Sequence, residues 1–145
     1  MGVAMCGIAG IVHLDGRPAD EALAKRMADA IAHRGPDGEG TYADGPVAFG
    51  HRRLAILDLT NAGGQPMSTD SGETTVIHNG EIYNFAALRG HLEGQGHRFR
   101  SRSDTEVVLH AYDAWGDSCV ERFNGMFAFA VWDQRRQRVV VARDR

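Results

Sequence analysis

Apolar residues recur at the spacing of a helix face in three stretches of the chain. The first predicted helix covers residues 20–33, the second is capped by Asn84 and ends at Gly94 or Gly96, and the third is capped by Ser103 or Asp104. The predicted apolar faces consist, in chain order, of Leu23, Met27, Ala30, Ile31, Phe85, Leu88, Leu92, Val108, Ala111, Tyr112 and Trp115. Stripes of this kind usually pack against a core, so we expect all three to be buried.

Other apolar runs have the length and composition of strands. We expect a short buried strand over residues 8–12, a second over 47–51, and a third over 74–79 that ends at the Asn79-Gly80 turn pair. Residues 126–132 and 138–142 predict a hairpin joined by a polar turn, whereas 33–38 and 61–66 are expected to be irregular. Helices and hairpin-type strands alternate in blocks, which indicates an α+β fold with helices covering sheet layers.

Composition excludes several classes of protein. The 145 residues suffice for one domain, and a net charge of −3 gives no strong field toward nucleic acid or an anionic membrane. The longest apolar run has only seven residues, at 126–132, and cannot cross a bilayer. Two cysteines make no disulfide framework, so a cytoplasmic location is expected. The seven histidines are scattered without metal-site spacing, so no metal site is expected.

Cys6 lies one residue after Met5, at the start of the first predicted strand. If translation began at Met5, or if the first five residues were removed, Cys6 would carry both a thiol and a free α-amine. An α-amine has a reference pKa of about 7.7–8.0 and could accept a proton near neutral pH. The alternative is that Cys6 is a small buried apolar residue, which is the commoner role of a free cysteine.

Four polar positions stand at predicted strand ends or helix starts, where functional sites are often built. The Asn79 amide beside a Gly80 N–H could hold a negative oxygen, although this pair is also a common β-turn. Arg53 could bind a carboxylate, or could be a solvated surface arginine. Glu81 and Asp104 could grip an ammonium group, or could be a surface acid and a helix cap.

Six motifs occur together and in order. They are MCGIAG at residues 5–10, HRGPD at 33–37, GHRRLAILD at 50–58, GQPM at 64–67, HNGEIYN at 78–84 and SDTE at 103–106. This set resembles the N-terminal glutaminase domain of glutamine-hydrolysing asparagine synthetase, a class II glutamine amidotransferase. The resemblance implies the N-terminal-nucleophile hydrolase fold, an αββα sandwich in which two sheets lie face to face between helices.

The resemblance also implies a role for each candidate residue. Cys6 would be the nucleophile and its own α-amine the base, with the Asn79 side chain and the Gly80 N–H as the oxyanion hole. Glutamine would be the substrate. Arg53 would bind the carboxylate of glutamine, and Glu81 and Asp104 would orient glutamine through its ammonium and amide ends. The backbone of Ile56 and Leu57 would line the pocket.

The chain departs from the family pattern at both ends. Residues 1–5 form a leader that the family lacks, and residues 6–145 form the amidotransferase domain. We expect this domain to be truncated, because the family continues into further strands and then into a synthetase domain. ATP and magnesium are expected only in the synthetase domain, and no cofactor is expected in this chain. An exposed sheet edge would favour a homodimer or aggregation.

The resemblance leaves two alternatives open. The domain could supply ammonia to an acceptor other than aspartate, in a protein with the same head domain. It could also be a non-catalytic relative that binds glutamine with a blocked Cys6.

Overall fold

Two antiparallel sheets form the inner layers of the protein in a computed structural model, which describes residues 5–145. The first sheet has the order β1-β3-β2, formed by β1 (Gly7–Val12), β2 (Gly38–Asp44) and β3 (Val47–Arg53). The second has the order β4-β5-β6-β7, formed by β4 (Met67–Ser68), β5 (Thr74–Ile82), β6 (Gly125–Asp133) and β7 (Arg138–Arg143). The predicted leader lies outside the described residues except for Met5.

Three helices cover the outer faces of the two sheets. Helix α1 (Glu21–Ala30) packs on β1, β2 and β3, whereas α3 (Asp104–Trp115) packs on β4 and β5 and contacts α2 (Phe85–Gly94). The layers therefore follow the expected αββα order. None of the helices within residues 5–145 is long and apolar enough to cross a membrane.

The two sheets meet through one small apolar cluster. Val47 and Phe49 of β3 face Ile77 of β5, with Ala130 and Trp132 of β6 beside them. Odd-numbered residues of β3 therefore point toward the second sheet, since strand side chains alternate between faces. By the same alternation, Arg53 at the end of β3 and Asn79 on β5 lie on these inner faces.

A larger apolar core fills the space between the second sheet and helices α2 and α3. Its members include Val108, Ala111 and Tyr112 of α3 and Leu92 of α2, all of them buried. Phe85, Leu88 and Trp115 pack against this core, so the predicted apolar faces of both helices are confirmed. Ser103 caps α3 by accepting a hydrogen bond from the Thr105 N–H.

The predicted apolar face of α1 was wrong by one position. Leu23 and Met27 are 39% and 37% exposed, and the buried residues are Ala24 and Ala28. A side chain at Gly50 of β3 would collide with the carbonyl of Ala24. Helix and sheet therefore lie so close together that only alanine fits between them.

Three strand predictions also need correction. Strand β1 is not buried but half-exposed, because it forms an edge of the first sheet. Strand β2 lies in a stretch where no strand was predicted, and only its first residue, Gly38, belongs to the predicted loop; short β4 follows the irregular segment. Strand β5 does not end at Asn79-Gly80: the pair continues in register with β6, where Gly80 faces Phe127, so it is not a turn. The β6–β7 hairpin is confirmed.

Candidate active site

A cavity of about 170 Å³ opens where β1, β3, β5 and the start of α3 converge. Its volume lies below the roughly 300–1,000 Å³ of pockets that hold drug-sized ligands, so it suits one small molecule. All eight residues predicted from the sequence line it, namely Cys6, Arg53, Ile56, Leu57, Asn79, Gly80, Glu81 and Asp104. They come from five separate segments of the chain, and the fold brings them together.

Cys6 is half-buried just before β1, and its thiol lies against the backbone that follows β3. The Leu54 N–H points at Sγ at 3.3 Å, and Sγ lies 3.6 Å from the Leu54 carbonyl oxygen. Burial raises the pKa of the Cys6 thiol, although the Leu54 N–H and the charge of Arg53 oppose that shift. The negative charge of Asp104 also raises the pKa. The thiol is therefore mostly protonated at neutral pH and needs a base to react.

Strand β5 is longer than its neighbour β4. Beyond the end of β4, the backbone N–H groups on that side of β5 do not pair with any strand that the structure describes. In an antiparallel sheet, every second residue directs its N–H to the same side. On this side the His78 N–H donates to the Gln65 side chain at 2.6 Å, and the Ile82 N–H donates to Asp104 Oδ2 at 2.9 Å. Gly80 lies between them in the same alternation, and among residues 5–145 no hydrogen bond outside the β5–β6 ladder has the Gly80 N–H as its donor. This side of β5 therefore leaves one donor available to a ligand of the cavity.

Asn79 precedes this donor, and its amide is also available. Its Oδ1 is buried without a hydrogen-bond partner in the described part of the chain. A buried unpaired amide oxygen costs roughly 1–3 kcal/mol, so such an arrangement usually serves a ligand or a bound water. Gly80 has φ of 136°, and a side chain there would overlap the carbonyl of Met126. Only glycine fits this position, and the absence of a side chain there leaves the Asn79-Gly80 pair accessible from the cavity.

Arg53 is held by the loop that follows β3. Its Nη1 donates to the Thr60 carbonyl at 2.7 Å, and its Nη2 donates to the Asp58 carbonyl. The Asp58 carboxylate in turn accepts from the Thr60 N–H and, across the site, from the Arg102 N–H. Hydrogen bonds from Thr60 and Arg102 lower the pKa of Asp58 to about 2. The guanidinium is thus fixed at the rim of the cavity.

The two predicted acids differ in their surroundings. Asp104 is only 5% exposed, and burial raises the pKa of its carboxyl group despite the hydrogen bond from Ile82. Glu81 is half-buried and reaches the same cavity. Ile56 and Leu57 also line the cavity and are 55% and 41% exposed.

Sequence reasoning missed several residues of the cavity wall. Leu54 supplies the backbone contact to the thiol, while Gln65, His78 and Thr105 form a buried polar group behind the Asn79-Gly80 pair. The last three lie within the motifs GQPM, HNGEIYN and SDTE, but no local pattern shows that they meet, because they are far apart in sequence. Residues 5–145 contain no group of three or more His, Cys, Asp or Glu side chains that could hold a metal ion.

This chain resembles known proteins in sequence. A family model described as a glutamine amidotransferase domain matches residues 5–145. Asparagine synthetase [glutamine-hydrolyzing] 3 of Bacillus subtilis is 46% identical over 144 residues, covering 97% of this chain and 23% of that protein. Asparagine synthetase [glutamine-hydrolyzing] 2 of the same organism is 44% identical, with 97% of this chain and 19% of that protein covered.

The fold has solved counterparts as well. The glutamine phosphoribosylpyrophosphate amidotransferase of B. subtilis, solved with ADP and GMP, superposes with a TM-score of 0.77 at 24% identity. That match covers 97% of this chain and 37% of the solved chain. At this level of identity the likeness concerns the fold, and it supports the N-terminal-nucleophile hydrolase architecture predicted from the sequence.

Proposed function

Because the chain belongs to the glutamine amidotransferase domain family, we propose that it hydrolyses glutamine to glutamate and ammonia through a thioester on Cys6. The observation that carries this proposal is the Gly80 N–H, left unpaired beside the Asn79 amide in the cavity that holds the Cys6 thiol. A backbone N–H and the NH₂ group of a side-chain amide, both beside a nucleophile, are donors that can stabilise a tetrahedral oxyanion.

The first half-reaction starts from a Cys6 freed of the preceding residues. Its α-amine takes the proton of the thiol, and the thiolate attacks the side-chain carbonyl carbon of glutamine. The carbonyl oxygen becomes negative and accepts hydrogen bonds from Asn79 and from the Gly80 N–H. The intermediate then collapses as its C–N bond breaks, and the departing nitrogen takes the proton from the amine and leaves as ammonia.

The second half-reaction releases glutamate. A water molecule gives a proton to the α-amine and attacks the thioester carbon, and the negative oxygen is again held by Asn79 and the Gly80 N–H. The C–S bond breaks, and the sulfur recovers its proton. The base lies on the same residue as the nucleophile, so no side chain has to move between the two steps.

Binding of the substrate uses charges at the cavity rim. The Arg53 guanidinium is proposed to hold the glutamine carboxylate, and Asp104 the ammonium group. Glu81 and the backbone of Ile56 and Leu57 complete the pocket. The fixed position of Arg53 and the burial of Asp104 support these roles, because both charges are held before the substrate arrives.

The chain spans about a fifth to a quarter of the length of the asparagine synthetases it matches. We propose that its ammonia passes to an ATP- and magnesium-dependent synthetase domain outside these residues, with aspartate as the acceptor. The alternative is an asparagine synthetase-like amidotransferase with another acceptor. A cytoplasmic location and a homodimer formed through a sheet edge remain predictions.

One observation favours a second candidate function. Met5 lines the cavity beside Cys6, so a chain that keeps its first five residues fills part of the pocket and has an amide in place of the amine. Such a chain would bind glutamine without hydrolysing it.

The test is to measure glutamate release from glutamine by the full chain and by a form that starts at Cys6, with intact mass defining each terminus. The proposal expects activity only in the form that starts at Cys6, loss of activity in Cys6→Ala, and a decrease of about 10²–10³ in Asn79→Ala. Glutamine binding without turnover in both forms would favour the non-catalytic candidate.

A further inference from the structure

The Gln65 side chain occupies the place of a missing strand. In the register of β4 with β5, Met67 faces Val76 and Ser68 faces Thr75, so two further positions of the same register would pair residue 66 with residue 77 and residue 65 with residue 78. Strand β4 starts only at Met67, and the Gln65 side chain reaches the His78 N–H instead, with Oε1 at 2.6 Å. The Gln65 side-chain amide thus takes the place of a strand partner for His78, the residue before Asn79.

The other end of the same amide is tied to helix α3. Gln65 Nε2 donates to Thr105 Oγ1 at 3.0 Å, and Thr105 Oγ1 lies 3.1 Å from His78 Nδ1. The orientation of the amide is fixed, because a backbone N–H can only donate and therefore requires Oε1 on its side. Thr105 Oγ1 therefore accepts from Gln65 Nε2, and its hydrogen bond with His78 Nδ1 is compatible with either neutral tautomer of the imidazole.

All three residues of this clamp are buried. Gln65 is 9% exposed, and His78 and Thr105 are 2% exposed. Burial lowers the pKa of His78 to about 4, so the imidazole is neutral at physiological pH and the hydrogen-bond directions persist there. The network carries no charge, and its bonds are shielded from competing water.

Each end of the clamp is adjacent to a residue of the proposed reaction. His78 precedes Asn79, and Thr105 follows Asp104. We infer that Gln65 is a positioning residue, which aligns the oxyanion donors on β5 with the substrate-binding start of α3 by bonding to both. This inference rests on the proposed glutaminase function and adds to it a residue of the cavity wall that acts by positioning its neighbours.

The test is a double-mutant cycle at saturating glutamine. Gln65→Met keeps the length of the side chain and removes both hydrogen bonds, and we expect kcat to fall about 10–100-fold, a part of the cost of losing an oxyanion donor. In the Asn79→Ala background, Gln65→Met should lower kcat by a clearly smaller factor than in the unmodified protein, because only the Gly80 N–H is left to align. Equal decreases in both backgrounds would overturn the inference.

Matched variants separate positioning from general destabilisation. Gln134→Met changes an exposed glutamine in the β6–β7 turn and should leave kcat unchanged. Thr105→Val should reproduce the kcat of Gln65→Met, whereas Thr105→Ser keeps the hydroxyl and should stay within about threefold of the unmodified protein. Thr105→Val also provides a second cycle with Asn79→Ala if Gln65→Met does not fold.

Amide hydrogen exchange distinguishes failure of this inference from failure of the proposed function. The His78 amide should exchange up to about tenfold faster in Gln65→Met, whether or not the protein turns over glutamine. An active enzyme with unchanged exchange at His78 would refute the clamp alone. Faster exchange in a protein whose form starting at Cys6 releases no glutamate would refute the function and leave Gln65 with a structural role only.

Discussion

Asp104→Asn separates the charge of Asp104 from its hydrogen bond to β5. In the protein, Asp104 Oδ2 accepts from the Ile82 N–H at 2.9 Å, and the side chain is 5% exposed. Asparagine has nearly the same shape and can keep that bond through Oδ1. It loses the negative charge, however, and turns an NH₂ group toward the position proposed for the glutamine ammonium. The variant therefore tests the charge with little change in packing.

The expected effect is on substrate binding. A buried hydrogen bond to a charged group contributes about 1.5–3 kcal/mol, and each 1.4 kcal/mol is a factor of ten. We therefore expect Asp104→Asn to raise the KM for glutamine by about 10–150-fold. The change in kcat should stay within about threefold, because Asp104 is proposed to hold the end of glutamine that does not react.

The stability of the variant should not fall. Burial raises the pKa of Asp104 above its ordinary 3.8 in the folded protein. For a carboxyl group with a raised folded pKa, ionisation above the unfolded pKa opposes folding, so the charge costs stability at neutral pH. Removing that charge should leave the free energy of unfolding at pH 7 equal to or above that of the unmodified protein.

Steady-state glutamate release measured against pH tests this reasoning. The unmodified enzyme should lose kcat/KM as the pH falls through the raised pKa of Asp104, and this acid limb should be absent in Asp104→Asn. Asp113→Asn is the control, since it removes an exposed acid from the same helix and should change neither KM nor the limb. An unchanged KM in Asp104→Asn, or a loss confined to kcat, would refute the ammonium role.

Three further predictions concern other residues. Burial alone would raise the pKa of Glu106, but hydrogen bonds including those from Ser101 outweigh it and lower the pKa to about 2. The ionised Glu106 side chain therefore stabilises the folded protein above its unfolded pKa of 4.5, and this stabilisation is lost as the pH falls toward 2. In urea unfolding, the free energy of unfolding of the unmodified protein should decrease by roughly 2 kcal/mol over this pH range because of Glu106, and Glu106→Gln should lack that decrease. Equal pH dependence in both proteins would contradict this. Gly80→Ala should reduce glutamate release at least as much as Asn79→Ala, because its side chain would overlap the Met126 carbonyl; near-normal kcat would argue against the Gly80 N–H as a donor. Arg53→Ala should raise the KM for glutamine and should also expose the loop that its guanidinium holds, seen as faster proteolysis after residue 57; unchanged KM would exclude the carboxylate role.

Periodicity predicted the elements whose packing follows one clear face. Helices α2 and α3 bury the predicted side, and the β6–β7 hairpin has the predicted turn, because long apolar stripes decide the packing there. Helix α1 shows where this reasoning fails. Its larger apolar residues, Leu23 and Met27, are displaced from the interface by the close approach of β3 at Gly50, a distance that no pattern within the helix encodes.

The strand errors have a tertiary cause. The pair Asn79-Gly80 has strong turn propensity, yet all nine residues of β5 pair with β6, and this pairing overrides the local preference. Strand β2 contains glycines and polar residues and is only half-buried, so its alternation is weak in the sequence. The candidate residues were predicted to share a site through the family resemblance, whereas the Gln65, His78 and Thr105 clamp required the fold.

The environment of the thiol favours the α-amine over the side chains of the cavity as the base. Burial raises the pKa of Cys6, so the base must compete for a firmly held proton. His78 is a poor candidate, because burial lowers its pKa to about 4 and its Nδ1 is bonded to Thr105. Asp104 is already engaged by the Ile82 N–H. A terminal amine of reference pKa about 7.7–8.0 is a better match for the thiol and is attached to the residue it serves. We expect kcat to rise with pH through the range of an amine, and acetylation of the freed terminus to abolish activity; full activity of an acetylated protein would refute the amine as base.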